Sequence, residues 1–252
     1  MKKQLIIAGP CAAESKEQVL VAAREAKKRQ VDFMRACLWK PRTRPGFEGL
    51  GEEGIDLLVE VAKLGMAPAT EVLLPEQAQQ VMEKILTEVP ESKLLLWIGA
   101  RNQNHFIQRE IARVVASDPR VMLLVKNQPW KNEDHWEGVA GHVLDGGIDP
   151  KRVILCHRGF MPNGVNPHGY RNVPAYDMAM SIREKTGLKM VFDPSHTGGS
   201  VPNVFHAAGE ASKYDFDGLM VEVHPNPTEA KTDAGQQLTW GEFDRLMMER
   251  QA

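Results

Sequence analysis

Two kinds of apolar pattern alternate along the chain. Eight short runs are apolar on consecutive residues: Leu5–Ala8, Phe33–Ala36, Ala67–Val72, Leu94–Ile98, Val121–Val125, Val153–Cys156, Met190–Phe192 and Gly218–Val223. Runs of this kind suit parallel strands buried on both faces. Between them, apolar residues recur at helical spacing. Glu17–Arg29 sets Val19, Leu20, Ala23 and Ala26 on one side, and Glu53–Leu64 does the same with Ile55, Leu58, Val59 and Ala62. Pro75–Leu86, His105–Ala116, Asp134–Leu144, Ala175–Lys185, Val204–Lys213 and Trp240–Glu249 complete the predicted helices. Pro75 suits a first helical turn, where its missing N–H is not needed. Gly65 and Gly187 stand where helices should stop.

Eight strand–helix units leave two main architectures, a closed barrel or an open doubly wound sheet. The unit spacing is regular, and no Gly-x-Gly-x-x-Gly turn follows the first strand. The pattern therefore predicts an α/β fold, a single (β/α)8 TIM barrel. A length of 252 residues suits one such barrel. No linker or low-complexity tract divides the chain, so residues 1–252 read as one barrel domain. No regulatory domain is visible, which fits either a short form or the catalytic part of a longer fusion.

Composition narrows the partners. Lys and Arg number 31 and Asp and Glu 33, a formal net charge of −2, so no overall basic field exists to attract nucleic acid or a membrane surface. No apolar run approaches the length of a membrane span, and residues 4–9 are too short for the apolar core of a signal peptide. Three cysteines, Cys11, Cys37 and Cys156, are too few for a disulfide framework. A reducing, cytoplasmic setting is expected.

The chemistry lies at the strand ends. There the chain places Gly9-Pro10-Cys11, Arg35 with Lys40-Pro41-Arg42-Thr43, Thr70-Glu71, Gly99-Ala100-Arg101-Asn102, Lys126-Asn127, His157-Arg158-Gly159, Asp193-Pro194-Ser195-His196 and Glu222-Val223-His224-Pro225. In a barrel all of these converge on one mouth at the carboxyl face. Arg35, Lys40, Arg42, Arg101, Lys126 and Arg158 would share that mouth. Unpaired, they repel one another and lose hydration. They make sense beside a ligand with several negative charges, because guanidinium forks match phosphate and carboxylate oxygens. Ion pairing with acidic residues on the rim is the plainer reading of any one of them. Cys11, His196, Glu222 and Asp233 form a mixed donor set for a divalent transition metal, although a lone Cys is more often a small buried apolar group. Trp39, Trp97 and Trp130 would wall the mouth. Trp136 and Trp240 read as helix packing, and Cys37 and Cys156 as buried thiols.

The run Ala8-Gly9-Pro10-Cys11-Ala12-Ala13-Glu14-Ser15 resembles the opening of the class I 3-deoxy-D-arabino-heptulosonate 7-phosphate (DAHP) synthases. So do Arg35 with Lys40-Pro41-Arg42-Thr43, Ile98-Gly99-Ala100-Arg101-Asn102, Asp193-Pro194-Ser195-His196, and Glu222-Val223-His224-Pro225 followed by Asp233. These matches run in the family's order over residues 8–233, and the length resembles the compact microbial branch. The resemblance implies that Cys11, His196, Glu222 and Asp233 ligate a divalent ion, with Mn2+ favoured. It implies that Arg101, Lys126 and Arg158 hold phosphoenolpyruvate, with Arg35 and Lys40 beside its carboxylate. Arg42 and Thr43 would bind erythrose 4-phosphate. Lys40, Glu71 and His196 are the expected catalytic residues, with Lys40 the candidate for proton transfer near the aldehyde and the water, helped by Glu71. A homo-oligomer is expected, and relatives are often fused to or associated with a chorismate mutase.

Two features depart from the family. Residue 157 is His where relatives often carry Glu, and the loop Phe160–Asn172 is unlike the usual versions. Arg171 or His168 could add a phosphate contact there. Two rivals stand beside this reading. One is a 3-deoxy-D-manno-octulosonate 8-phosphate synthase using arabinose 5-phosphate, whose loop resembles Lys-Ala-Asn-Arg-Ser rather than Lys40-Pro41-Arg42-Thr43. The other is a sugar-phosphate-binding barrel without turnover.

Overall fold

In the computed structural model, which describes residues 3–40 and 46–250, the apolar runs become eight strands: β1 (Leu5–Gly9), β2 (Phe33–Arg35), β3 (Pro68–Glu71), β4 (Leu94–Ile98), β5 (Val121–Lys126), β6 (Val153–His157), β7 (Lys189–Phe192) and β8 (Gly218–Glu222). All neighbouring pairs are parallel, and β1 pairs with β8, so the sheet closes. The α-helices among the described residues are α1 (Lys16–Lys28), α2 (Ile55–Lys63), α3 (Pro75–Glu88), α4 (His105–Ala116), α5 (Glu133–Leu144), α6 (Tyr176–Thr186), α7 (Pro194–Gly198), α8 (Val201–Ala211) and α9 (Trp240–Glu249). The expected (β/α)8 barrel is the observed fold.

Local chemistry starts and stops these helices where the sequence indicates. The Ser15 hydroxyl accepts from Gln18 N at the start of α1, and Asn104 Oδ1 accepts from Phe106 N and Ile107 N at the start of α4. Thr239 and Glu242 close a reciprocal capping box on α9. Gly187 ends α6 at φ 67°, a left-handed position that costs glycine little. α8 begins at Val201 rather than Val204, and α7 was not expected at all.

Side chains along each strand alternate between two apolar layers. Ile7, Phe33, Ala69, Leu95, Trp97, Leu124, Ile154, Val191 and Met220 fill the barrel interior. Leu94, Leu96, Ile98, Leu123, Val125, Val153, Leu155 and Phe192 face the surrounding helices. Burial on both sides explains why the strands read as continuous apolar runs. The parallel register sets Gly9 beside Glu222 and Lys126 beside Cys156, which gathers the polar strand ends at one mouth. Among the described residues no helix is long and apolar enough to cross a membrane.

Candidate active site and metal centre

Cys11 follows the end of β1, Glu222 ends β8, and Asp233 lies in the segment between β8 and α9. Each of the three offers a ligand atom, and these atoms lie within 4.8 Å of one another. Cys11 Sγ is 3.3 Å from Asp233 Oδ2. His196 sits on α7, which Pro194 opens and the Asp193 carboxylate caps by accepting from His196 N at 2.9 Å. That turn brings His196 Nε2 to 3.7 Å from Glu222 Oε1. On the far side of the ring, Nδ1 lies 2.8 Å from Asp193 Oδ2. A carboxylate behind an imidazole is the arrangement that orients metal-binding histidines.

Burial and charge set the protonation of this cluster. Burial, with Glu222 adding to it, pushes the Cys11 thiol well above its ordinary range, against the opposing pull of Lys40. Burial would raise Asp233 as well, but Lys40, His196 and Arg171 overrule it and hold the carboxyl far below its usual range. For Glu222, burial is likewise overruled by His196, Arg35 and Lys40, and the group is held low. Burial keeps His196 below the ordinary imidazole range, despite Asp193. Neutral imidazole, two carboxylates and a thiol that a cation can deprotonate suit a borderline divalent ion. Lys40 Nζ donates to Cys11 Sγ, and to Asp233 Oδ2 at 3.3 Å. Burial would lower this ammonium, yet Cys11, Cys37, Glu222 and Asp233 keep it protonated well above the usual lysine range.

The cations predicted for the mouth form a second group beside these donors. Arg35 is buried; its Nε donates to Pro10 O at 3.3 Å, and its Nη2 to Cys11 O at 3.2 Å and Glu222 Oε1 at 3.0 Å. Its Nη1, also buried, has no hydrogen-bond partner among the described residues. The Trp97 ring forms a floor here, with Arg35 Cζ 5.0 Å and Lys126 Nζ 5.9 Å from its centre. Lys126 Nζ pairs with Asp193 Oδ2 at 2.8 Å. Arg158, only 9% exposed, donates from Nη1 to a neutral partner, Asn172 Oδ1, at 2.8 Å. Burial depresses it to about 10; Asp193 opposes that, and the charges of Arg171 and Arg101 add to it. Arg101 itself lies on the exposed rim. Buried guanidinium held among like charges is the electrostatic signature of an anion site. Glu71, at the end of β3, lies with Oε2 3.7 Å from the Cys37 thiol and packs over Gly99, where an added Cβ would fall 1.9 Å from Glu71 Oε1. Arg42 and Thr43 lie outside the described residues.

Other expectations resolve differently. Trp97 is an interior floor rather than a wall, Trp39 is half-buried, and Trp130 is largely exposed. Cys37 and Cys156 are buried thiols as expected, pushed by burial to about 11 and about 12. The unusual loop between β6 and α6 returns to the mouth. Asn172 holds Arg158 and donates to His196 O at 2.6 Å, while Arg171 Nη1 donates to Asp233 Oδ1 at 3.0 Å and Gln236 Oε1 at 2.6 Å. The His168 ring lies against His206 instead, 4.3 Å between ring centres and tilted by 35°. Sequence reasoning passed over Gln236 and Gln237. Gln236 Nε2 donates to Glu222 Oε2 at 2.6 Å. Gln237 accepts from Cys11 N at 2.9 Å and donates to Thr232 O at 2.9 Å. Their one sequence signal was position, a polar pair just after Asp233.

Comparison with known proteins addresses the family and the fold. Residues 2–251 match the model of the DAHP synthetase I family. The phospho-2-dehydro-3-deoxyheptonate aldolase of Thermotoga maritima is 32% identical over 246 residues, covering 97% of this chain and 68% of that protein. A 2-dehydro-3-deoxyphosphooctonate aldolase of Burkholderia cenocepacia is 27% identical over 251 residues, covering 90% of this chain and 82% of that one. The crystal structure of the Thermotoga maritima enzyme superposes with a TM-score of 0.85 at 30% identity, over 98% of this chain and 68% of that chain. A truncated form of 3-deoxy-D-arabino-heptulosonate 7-phosphate synthase from the same organism gives 0.81 at 27% identity, over 98% and 85%.

Proposed function

The chain belongs to the DAHP synthetase I family, and from that premise we propose that it condenses phosphoenolpyruvate with D-erythrose 4-phosphate and water. The products are 3-deoxy-D-arabino-heptulosonate 7-phosphate and inorganic phosphate, the first step of the shikimate route to aromatic amino acids. The observation that carries the reading is one mouth with two neighbouring halves: the Cys11 thiol gathered with the Glu222 and Asp233 carboxylates, with His196 beside Glu222, and the buried cations Arg35, Lys126 and Arg158.

Cys11, His196, Glu222 and Asp233 would hold a divalent cation, for which manganese is our choice. When bound, that cation supplies a Lewis acid for the aldehyde oxygen. The remaining work falls to side chains. Arg158, Lys126 and Arg101 take the phosphate of phosphoenolpyruvate, and Arg35 and Lys40 its carboxylate, so that both anions are fixed before reaction. Arg42 and Thr43 take the phosphate of the aldose. C3 of phosphoenolpyruvate attacks the aldehyde carbon, and positive charge develops at C2. Water adds to C2, and the resulting tetrahedral centre expels phosphate. The guanidinium groups hold that leaving phosphate as its charge grows. Lys40 delivers a proton at the aldehyde oxygen, and Glu71 receives one from the water. A cytoplasmic homo-oligomer, with a chorismate mutase as a fused or associated partner outside this chain, belongs to the same proposal.

The test is release of inorganic phosphate from phosphoenolpyruvate by the purified chain, with erythrose 4-phosphate or arabinose 5-phosphate, with and without chelator. Release that requires the four-carbon aldose and is lost on chelation is expected. Preference for the pentose would make the chain an octulosonate synthase, and binding without turnover would make it a sugar-phosphate-binding barrel.

A further inference from the structure

Each carboxylate of the donor cluster divides its two oxygens between different partners. Asp233 Oδ2 faces Cys11 and Lys40, while Oδ1 is held by Arg171 at 3.0 Å. Glu222 Oε1 faces Arg35 and His196, while Oε2 accepts from Gln236 Nε2 at 2.6 Å. The two anchors are themselves joined, because Arg171 Nη1 donates to Gln236 Oε1 at 2.6 Å. One chain of hydrogen bonds thus runs Asp233–Arg171–Gln236–Glu222. The next residue completes it: Gln237 accepts from Cys11 N and donates to Thr232 O, tying the end of β1 to the backbone just before Asp233. Gln236 and Gln237 are both buried. Asp233 sits at φ 49° and ψ 31°, a left-handed conformation that is uncommon outside glycine and persists where the surroundings hold it in place.

We infer that Arg171 and Gln236 are positioning residues for the metal centre, clamping Asp233 and Glu222 so that one oxygen of each is presented to a shared cation. This rests on the proposed metal-dependent function and deepens it. It also gives the β6–α6 loop a role, since that loop supplies Arg171 to the donors. A carboxylate whose second oxygen is fixed loses less freedom on ligation. Partners of this kind are commonly worth roughly 10- to 100-fold in metal affinity.

The experiment is a Co2+ titration of the full chain, followed by the near-ultraviolet thiolate-to-cobalt absorption of Cys11, with Cys11→Ala as the blank. Gln236→Ala and Arg171→Ala should each weaken Co2+ binding by about 10- to 100-fold. Because the two act in one chain, the double variant should lose less than the product of the single losses. Arg171 is partly exposed on a loop, so Arg171→Ala carries the test if Gln236→Ala does not fold. Arg171→Lys keeps a charge near Asp233 and should recover part of the affinity. Unchanged Co2+ affinity in Arg171→Ala overturns the inference. So does a rise in the KM for either phosphorylated substrate at unchanged Co2+ affinity, which would make Arg171 a substrate contact. A wild-type chain without any cobalt-dependent band would instead remove the metal reading itself, and this inference with it.

Discussion

His157 is the last residue of β6, one position before Arg158, yet it takes no part in the mouth. Its ring stacks on Trp136 of α5, with centres 5.4 Å apart, and meets Phe160, Tyr176 and Phe192 on the helix side of the sheet. Nε2 accepts from Ala175 N at 2.9 Å, pinning the start of α6 to the sheet, so the proton of the neutral ring sits on Nδ1. Burial, with the charge of Arg158 adding to it, drives this imidazole from 6.5 down to about 3. Between those values the unfolded chain binds a proton at this position and the fold does not. Acidification from 6.5 towards 3 therefore favours unfolding, by about 1.4 kcal/mol per pH unit from this one group, and the stabilising contribution is complete only above 6.5. His157→Gln removes the titration while offering Ala175 N another acceptor. Urea unfolding at a series of pH values should show a shallower acid loss in the variant, by about one proton. Equal slopes in the two proteins would mean that His157 does not titrate on unfolding.

At the scale of elements, the closure of the sheet depends on a glycine whose reason is invisible locally. Gly218 opens β8 opposite Leu5 of β1, and a Cβ placed on it would fall 1.9 Å from Leu5 O. That neighbour is backbone, so only separation of the two strands relieves the clash. Gly218→Ala should cost about 1–3 kcal/mol, a fall of roughly 2–10 °C in the unfolding midpoint for a domain of this size. A midpoint that does not move would show that the seam tolerates the methyl group. The strands themselves were legible, because burial on both faces leaves apolar runs that any window along the chain detects. The long helices were legible for a similar reason, as periods and caps. Closure of the barrel was expected too, but the close approach of Gly218 to Leu5 at the seam was not legible, since the two strands come from opposite ends of the chain. Nor was α7: five residues are too few to express a helical period, and Asp193, read as part of a strand end, is in fact its cap. In the mouth, the donor types Cys11, Glu222 and Asp233 stood out once strand ends were assigned. Gln236 and Gln237 did not, and Arg171 stood out only as a candidate phosphate contact, not as a partner of Asp233, because loop Arg and Gln follow no pattern and gain meaning only from partners far away in sequence. Arg42 and Thr43 lie outside the described residues, so their expected place rests on the sequence alone.

Taken across the whole molecule, the donor cluster draws on the first strand and on the last third of the chain together. Cys11 follows β1, His196 lies in α7, Glu222 ends β8, and Asp233 precedes α9. A cation shared by these groups would cross-link β1 to β8 at the same seam that Gly218 allows to close. Without a cation, the Lys40 ammonium is the positive group lying against both Cys11 Sγ and Asp233 Oδ2. Folded-state ligation adds stability as RT ln(1 + [L]/Kd), about 2.7 kcal/mol at a hundredfold excess over Kd, or roughly 5–10 °C for a chain of this length. Mn2+ should therefore raise the unfolding midpoint of the wild-type chain in a concentration-dependent way, and chelator should reverse the rise. Cys11→Ser should shrink the increment without abolishing the fold, since Cys11 is one of four proposed donors. Lys40→Met should show the opposite asymmetry: the charge that holds the donors together is lost, so its cation-free form is the weaker and its Mn2+ increment the larger. A midpoint indifferent to divalent ions would sink this coupling. So would an increment that survives unchanged in Cys11→Ser, because the ion would then be binding elsewhere on the surface and leaving the seam as it was.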